Sequence, residues 1–210
     1  MKSMNVLRFA GMIFSVLIGY GSAANAVPIS FTETTIGSGY LNGTFFTNAG
    51  VQFAFQGDTS NAFLAINNIY ELPVTGGFTV TGVGSDSFFN FPGNQVMAFV
   101  TQDFFGSNTT ALAGFELDSG GSFTNIFGIR DAAFSTYDLT SAISVTGAGF
   151  PHSNAFFGTA SGGAFNLSSA GDTTFIATLG VPEPASLSIL GAGLAGAVAM
   201  RRRRKTAKVA

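Results

Sequence analysis

Short stretches in which apolar and polar residues alternate recur along most of this 210-residue chain. In VQFAFQ, residues 51–56, the alternation places Val51, Phe53 and Phe55 on one face of the chain. A period of two is typical of a β-strand with one buried face. The same pattern begins near Ile29, Phe78, Gln95, Ala111, Ala164 and Thr173. A chain built from such stretches is expected to fold as β-sheet.

Glycine-containing pairs separate these stretches, and such pairs are typical of tight turns. They are Asn42-Gly43, Gly57-Asp58, Gly76-Gly77, Gly93-Asn94, Gly120-Gly121, Gly162-Gly163 and Gly171-Asp172. Between the two ends of the chain, helical periodicity is nearly absent. Residues 61–67 are expected to form one or two helical turns at most. We therefore predict an all-β body with a β-sandwich or jelly-roll fold.

Adjacent phenylalanines occur four times, in GTFFTN, DSFFNF, QDFFGS and NAFFGT, which begin at Gly43, Asp86, Gln102 and Asn154. Neighbouring side chains of a strand point to opposite faces. Each pair is therefore expected either to lie in a strand covered on both sides or to leave one ring near the surface.

The first 26 residues have the order of a secretory signal peptide. Lys2 and Arg8 precede an apolar stretch at residues 9–18, and the small residues Ala24 and Ala26 follow that stretch. This order predicts cleavage after Ala26. An uncleaved membrane anchor is the alternative, but the apolar stretch has about half the roughly 20 residues that a spanning helix needs.

The part between the two ends is strongly acidic. From Val27 to Val181 the chain has ten acidic residues and one basic residue, Arg130, so this part carries a formal charge of −9 whereas the whole chain carries −2. Nucleic-acid binding needs a basic surface, so we exclude nucleic acid as a partner. The chain has no cysteine, which excludes disulfides, thiolate metal sites and a thiol nucleophile.

The C-terminal tail combines an apolar stretch with a cluster of cations. Residues 185–200 are 16 uncharged residues, which span about 24 Å as a helix, slightly short of a membrane core of about 30 Å. The long arginine side chains that follow can make up the gap by reaching to the membrane interface. The cations that follow are Arg201, Arg202, Arg203, Arg204 and Lys205. The apolar stretch predicts a transmembrane helix. Because cationic segments stay on the cytoplasmic side of a membrane, the cations place the body outside the inner membrane and residues 206–210 in the cytoplasm.

The order of motifs in this tail resembles the PEP-CTERM sorting signal of Gram-negative bacteria. Val181, Pro182, Glu183 and Pro184 precede the apolar stretch, and the cationic cluster closes it. The resemblance implies a substrate of exosortase, a membrane protease that processes the tail near these residues, in a bacterium that makes exopolysaccharide. The predicted organisation is a signal peptide at 1–26, a β-sandwich body at 27–180, the sorting signal at 181–205 and a cytoplasmic tail at 206–210.

The body offers few residues for catalysis. The lone His152 lies in a glycine-proline turn without a recognisable serine partner, and Glu116 and Asp118 share one strand face as a candidate carboxylate pair for glycoside hydrolysis. Asp58, Asp86, Asp118 and Asp172 lie beside glycine or serine in predicted turns and are weak candidates for a structural calcium ion, without the spacing of a calcium loop.

We therefore expect a non-enzymatic exported protein of the cell envelope or extracellular matrix. The alternative is a carbohydrate-binding module for the cell's own exopolysaccharide, which needs exposed rings among the phenylalanine pairs or the tyrosines. A hydrolase based on Glu116 and Asp118 is the third hypothesis.

Overall fold

The computed structural model describes residues 26–66, 68–88, 94–103, 111–119, 122–152 and 155–181. Within these residues the chain forms β-strands and two short 3-10 turns, at Thr59–Asn61 and Ala132–Thr136. The strands are β1 Pro28–Leu41, β2 Thr44–Asp58, β3 Phe63–Ile66, β4 Ile69–Pro73, β5 Thr75–Val80, β6 Gly84–Asp86, β7 Asn94–Thr101, β8 Leu112–Ser119, β9 Phe123–Arg130, β10 Ile143–Pro151, β11 Phe157–Gly158 and β12 Ala164–Leu179.

All of these strands belong to one antiparallel sheet. Its order is β3-β4-β7-β8-β9-β10-β12-β1-β2-β5-β6, and β11 pairs with β12 beside this path. The longest strands, β12, β1 and β2, are neighbours, with Ile29 of β1 opposite Leu179 of β12 and Gly57 of β2. Register shifts at Gly37 and Gly39 bend these strands, as β-bulges do.

The sheet curls until its two halves share one core. Four strands separate β2 from β8 in the sheet order, yet the rings of Phe55 on β2 and Phe115 on β8 have centroids 4.4 Å apart. Phe53 on β2 also stacks on Phe127 of β9, at 5.3 Å. The alternation of Val51, Phe53 and Phe55 is confirmed, because all three are at most 1% exposed.

The all-β prediction is confirmed, but the sheet arrangement differs from two stacked sheets. One open, curled antiparallel sheet supplies both layers of the core. The reason is that the long, bent strands at its centre continue hydrogen bonding around the core instead of ending at a corner.

Two of the three predicted helical segments, the signal helix and the tail helix, lie outside the described residues. Residues 1–25 and 182–210 lie outside the described residues, so the signal helix and the tail helix at 185–200 remain predictions. Within the described parts of the chain, no helix has the length and apolarity that a membrane crossing requires. The turn expected at residues 61–67 is wrong: the 3-10 turn is Thr59–Asn61, and β3 occupies Phe63–Ile66.

The phenylalanine pairs at 45–46 and 156–157 each divide between core and surface. Phe46 and Phe157 are 6% and 4% exposed, whereas Phe45 and Phe156 are 81% and 64% exposed. Phe88 is buried, and residues 89, 104 and 105 lie outside the described residues. In each of these two pairs, one ring therefore lies in solvent.

Candidate functional sites and the sorting motif

The two ends of the β body lie side by side. β1 begins two residues after Ala26, and β12 ends two residues before Val181. These strands are paired, and the Gly180 amide donates a hydrogen bond to the Pro28 carbonyl over 2.6 Å. The predicted signal cleavage site and the start of the VPEP stretch therefore leave the same end of the same strand pair.

Most of the predicted processing residues lie beyond the described chain. Ala26 is exposed, and Val181 is 87% exposed. Ala24, the prolines at 182 and 184, Glu183 and the cationic cluster at 201–205 are outside the described residues. Their roles remain predictions.

The four aspartates proposed for calcium serve different parts of the sheet. Asp58 caps the first 3-10 turn by accepting hydrogen bonds from the amide and hydroxyl of Ser60. Asp118 lies on β8 and Asp172 on β12. The described ranges contain no group of three or more histidine, aspartate and glutamate side chains placed to hold a metal ion. The calcium hypothesis therefore gains no support from them.

Asp86 is the acceptor at the centre of a polar cluster. Its Oδ2 accepts hydrogen bonds from Asn42 Nδ2 over 2.6 Å and from the Ser161 hydroxyl, and Thr159 donates to Asn42 Oδ1. Burial alone would raise the pKa of Asp86, but the hydrogen bonds from Ser161 and Asn42 outweigh it and lower the pKa to about 2. The cluster ties the β1–β2 turn to β6 and to the turn before β12.

Replacing Asp86 by asparagine is expected to lower the free energy of unfolding by about 1–2 kcal/mol, because hydrogen bonds to a charged acceptor are lost. The charged carboxylate stabilises the fold at pH values above its ordinary pKa of 3.8. The difference in unfolding free energy between the variant and the wild type should therefore shrink as pH falls toward 2. Urea unfolding at pH 7 and pH 3 measures both effects. Asp172→Asn, at an exposed position of β12, is the control. Equal losses for both variants would contradict the role of the cluster.

Three acidic side chains on β4 and β8, of which Glu71 and Glu116 are buried and Asp118 is half-buried, form a cluster that the sequence only partly predicts. Glu116 and Asp118 share a face of β8, as expected, and β7 between the strands places Glu71 of β4 near them. Burial, with the nearby charges of Glu71 and Asp118, raises the pKa of Glu116 to about 8. Burial and Asp118 also raise the pKa of Glu71.

A fourth buried acid lies in the aromatic core. Glu33 on β1 stands between Phe53 on β2 and Phe175 on β12, and it is 0% exposed. Neither of its carboxyl oxygens has a hydrogen-bond partner among the described residues. Burial therefore raises its pKa well above the ordinary value, and the protonated form is the stable one in the core.

Burial restricts access to Glu116, the member of the candidate carboxylate pair that lies next to Asp118. Glycoside hydrolysis places two carboxyl groups on either side of a sugar-sugar bond. Glu71 and Glu116 are only 3% and 7% exposed, and Glu33 is enclosed by phenylalanines, so a sugar chain cannot reach them in this conformation. His152 Nδ1 lies 3.1 Å from the Asn125 carbonyl oxygen, a backbone contact.

An exposed aromatic cluster lies on the outer face of the β1–β2 hairpin. Tyr40 and Phe45 are opposite each other, with ring centroids 5.1 Å apart in an edge-to-face arrangement. The ring of Phe156 lies 5.8 Å from Tyr40 on its other side. We call Tyr40, Phe45 and Phe156 the aromatic cluster. It is the kind of exposed platform that the carbohydrate-binding alternative requires.

Uncharged side chains, most of them polar, cover the outer face of the central strands. The register aligns one row of them across six strands: Thr146, Thr174, Thr34, Gln52, Thr79 and Ser85. A parallel row holds Thr178, Ser30, Gln56 and Thr75. The row between them contains Ser144, Ile176, Thr32, Ala54 and Gly77. We call these three rows the polar face.

A shallow depression of about 390 Å³ lies at one end of the polar face. It is lined by Ser30, Thr32, Gln56 and Thr75 around the small residues Ala54 and Gly76. Gly76 has a φ of +153°, and a Cβ there would lie 2.2 Å from the Ala54 carbonyl oxygen. Only glycine therefore keeps the floor of the depression open.

Sequence reasoning missed Glu33, Glu71 and the polar face. A signal for Glu33 was present, because it is in phase with Ile29 and Phe31 in the alternating stretch. Glu71 and the rows of the polar face depend on strand order, for which the sequence holds no local signal.

Comparison with known proteins identifies the tail. The family model of the PEP-CTERM protein-sorting motif matches residues 180–204. No curated protein and no solved structure matches the chain. The matched segment begins directly after β12 and contains the VPEP stretch, the apolar stretch and most of the cationic cluster. Residues 180–204 are therefore a PEP-CTERM protein-sorting motif, which marks this chain for sorting by an exosortase.

Proposed function

We propose that this protein is exported through its N-terminal signal peptide, held in the inner membrane by its tail and released to the cell surface or extracellular matrix by exosortase. The match of residues 180–204 to the sorting motif is the observation that carries this proposal. In this role Pro182, Glu183 and Pro184 are substrate residues. The two prolines keep the stretch extended and remove backbone donors, so Glu183 is presented in a form that a protease cleft can bind.

The position of the two chain ends supports membrane tethering before processing. The predicted signal peptide and the predicted tail helix connect to the body at the paired ends of β1 and β12. A body whose ends lie together can be held at one membrane surface by both segments without unfolding any strand. The cations at 201–205 then keep the end of the tail in the cytoplasm.

We propose that the released body acts without catalysis in an exopolysaccharide-containing matrix. Its carboxyl groups of raised pKa are buried, so they are unsuited to cleave a polymer. Its stability comes from a phenylalanine core, which suits a cysteine-free protein outside the cell.

Replacing Pro182, Glu183 and Pro184 together by alanine is expected to abolish processing of the tail. The wild-type protein recovered from its host should begin at Val27 and end near Pro182 or Glu183, whereas the variant should keep its tail and stay in the membrane fraction. Intact mass and sequencing of the terminal peptides, from envelope and medium, measure both outcomes.

The Asp172→Asn variant should be processed like the wild type, since that side chain lies on the surface of β12. A wild-type protein that retains residues through Ala210 would instead be a stably anchored membrane protein. That result would refute release by exosortase while leaving the fold untouched.

A further inference from the structure

We propose that the outer face of the sheet binds an extended, uncharged polysaccharide, with the aromatic cluster as a stacking platform and the polar face as its hydrogen-bonding surface. This inference concerns the β body and is independent of how the tail is processed. For a carbohydrate-binding body, the aromatic cluster and the polar face are the binding site, and an uncharged polysaccharide is the ligand.

The charge of the polar face selects an uncharged ligand. The part of the chain from Val27 to Val181 carries −9, yet none of the side chains in the three rows is charged. Asp172 on β12 and Asp58 on β2 are the acids next to the rows, two positions before Thr174 and two positions after Gln56. An acidic polymer would be repelled by the surrounding carboxylates, and a cationic one would find no counter-charge within the rows. A neutral, hydroxyl-rich chain fits this pattern.

The side chains of the rows have the groups that sugars bind. Threonine hydroxyls and glutamine amides both donate and accept hydrogen bonds, as sugar hydroxyls do. Some of these groups are already aligned with each other: the Thr146 and Thr174 hydroxyls are 2.9 Å apart, and those of Thr79 and Ser85 are 2.8 Å apart. Each such pair retains further donor and acceptor capacity toward a ligand.

The aromatic cluster supplies an apolar surface on which a sugar ring can stack, in addition to the hydrogen bonds of the polar face. Phe45 and Phe156 are 81% and 64% exposed, which is costly unless a ligand covers them. Tyr40 lies between them and its ring is held by edge contacts on both sides, so the platform is ordered before binding. Its hydroxyl forms no hydrogen bond within the described part of the chain. That group is available to a sugar.

The length of the site favours a polymer over a single sugar. The outward-facing positions of β1 run from Ser30 beside the depression to Tyr40 in the aromatic cluster. Ten residues of strand span about 33 Å. A chain lying along β1 would contact the depression, the rows and the rings together.

The test is affinity electrophoresis of the protein as recovered from its host's envelope and medium, through gels that contain that host's exopolysaccharide. The polysaccharide is first separated by anion exchange into a neutral and an acidic fraction. We expect retardation by the neutral fraction only. Phe45→Ala should weaken the apparent affinity about tenfold, as loss of a buried aromatic anchor does. Gln52→Glu, a nearly isosteric change that puts a charge in the middle of a row, should weaken it comparably.

Phe123→Ala is the matched control, because Phe123 is an exposed phenylalanine on β9, outside both the cluster and the rows. Its retardation should equal that of the wild type, and thermal melts should show that all three variants are folded. Absence of retardation by the neutral fraction would overturn the proposal, as would equal retardation of Phe45→Ala and wild type. A twofold increase in mass by light scattering that Gln52→Glu abolishes, without retardation, would assign the face to a second copy instead.

Discussion

Replacing Phe53 by alanine is expected to lower the free energy of unfolding by about 3–5 kcal/mol, the usual cost of truncating a fully buried phenylalanine. Phe53 is 0% exposed, and its ring contacts rings from four other strands. They are Phe78 on β5, Phe115 on β8, Phe127 on β9 and Phe165 on β12. The cavity would therefore open at the point where the two halves of the curled sheet meet.

Urea unfolding of the recovered protein measures this loss. Phe45→Ala removes the same side chain from the same strand, but at an 81% exposed position, and should change stability by no more than about 0.5 kcal/mol. Similar losses for the two variants would mean that the halves of the sheet do not share a core. A loss of less than about 1 kcal/mol at Phe53 would have the same meaning.

Raising the pH from 5 to 9 is expected to destabilise the protein, through its buried glutamates. Glu116 has an ordinary pKa of 4.5 and a pKa of about 8 in the folded chain. Between these values the folded state holds a proton that the unfolded state releases. The stabilisation is therefore complete below pH 4.5 and is lost as pH rises through 8, with a total on the order of 5 kcal/mol.

The Glu116→Gln variant isolates this effect, because the amide has the shape of the protonated acid but cannot ionise. Its unfolding free energy should vary less with pH than that of the wild type and should exceed it at pH 9. Glu33 also makes the unfolding free energy fall as pH rises, so Glu33→Gln should stabilise the protein at high pH as well. The surface variant Asp172→Asn should retain the wild-type slope. A wild-type stability that is constant from pH 5 to 9 would contradict the burial of these acids.

The two predictions concern opposite faces of the sheet. The aromatic core at Phe53 and the acidic cluster at Glu116 are on opposite faces of this single sheet, since Phe115 and Glu116 are consecutive residues of β8. A loss of curvature would expose the aromatic core at Phe53, so the Phe53→Ala variant tests the curl and the Glu116→Gln variant tests the burial of the acidic cluster.

Local patterns were sufficient for the strand content. The alternation at Val51, Phe53 and Phe55 identified the buried face of β2, since side-chain direction in a strand follows from the backbone itself. The pair at Phe45 and Phe46 divided between surface and core for the same reason. The prediction of a β-sandwich or jelly roll did not extend to the single curled sheet, because strand order depends on long-range pairing, which alternation does not encode.

The amino-acid sequence by itself determined that the body is all β and that the tail is a PEP-CTERM sorting motif, because alternation and the order of VPEP, apolar stretch and cations are both local. Only the tertiary structure decided which distant residues meet. It brought Glu71 beside Glu116 across β7, placed Phe156 against Tyr40, and aligned Thr146 with Ser85 over six strands. These arrangements follow from strand order and register, which are set by the free energy of the whole core and not by any short stretch of the chain.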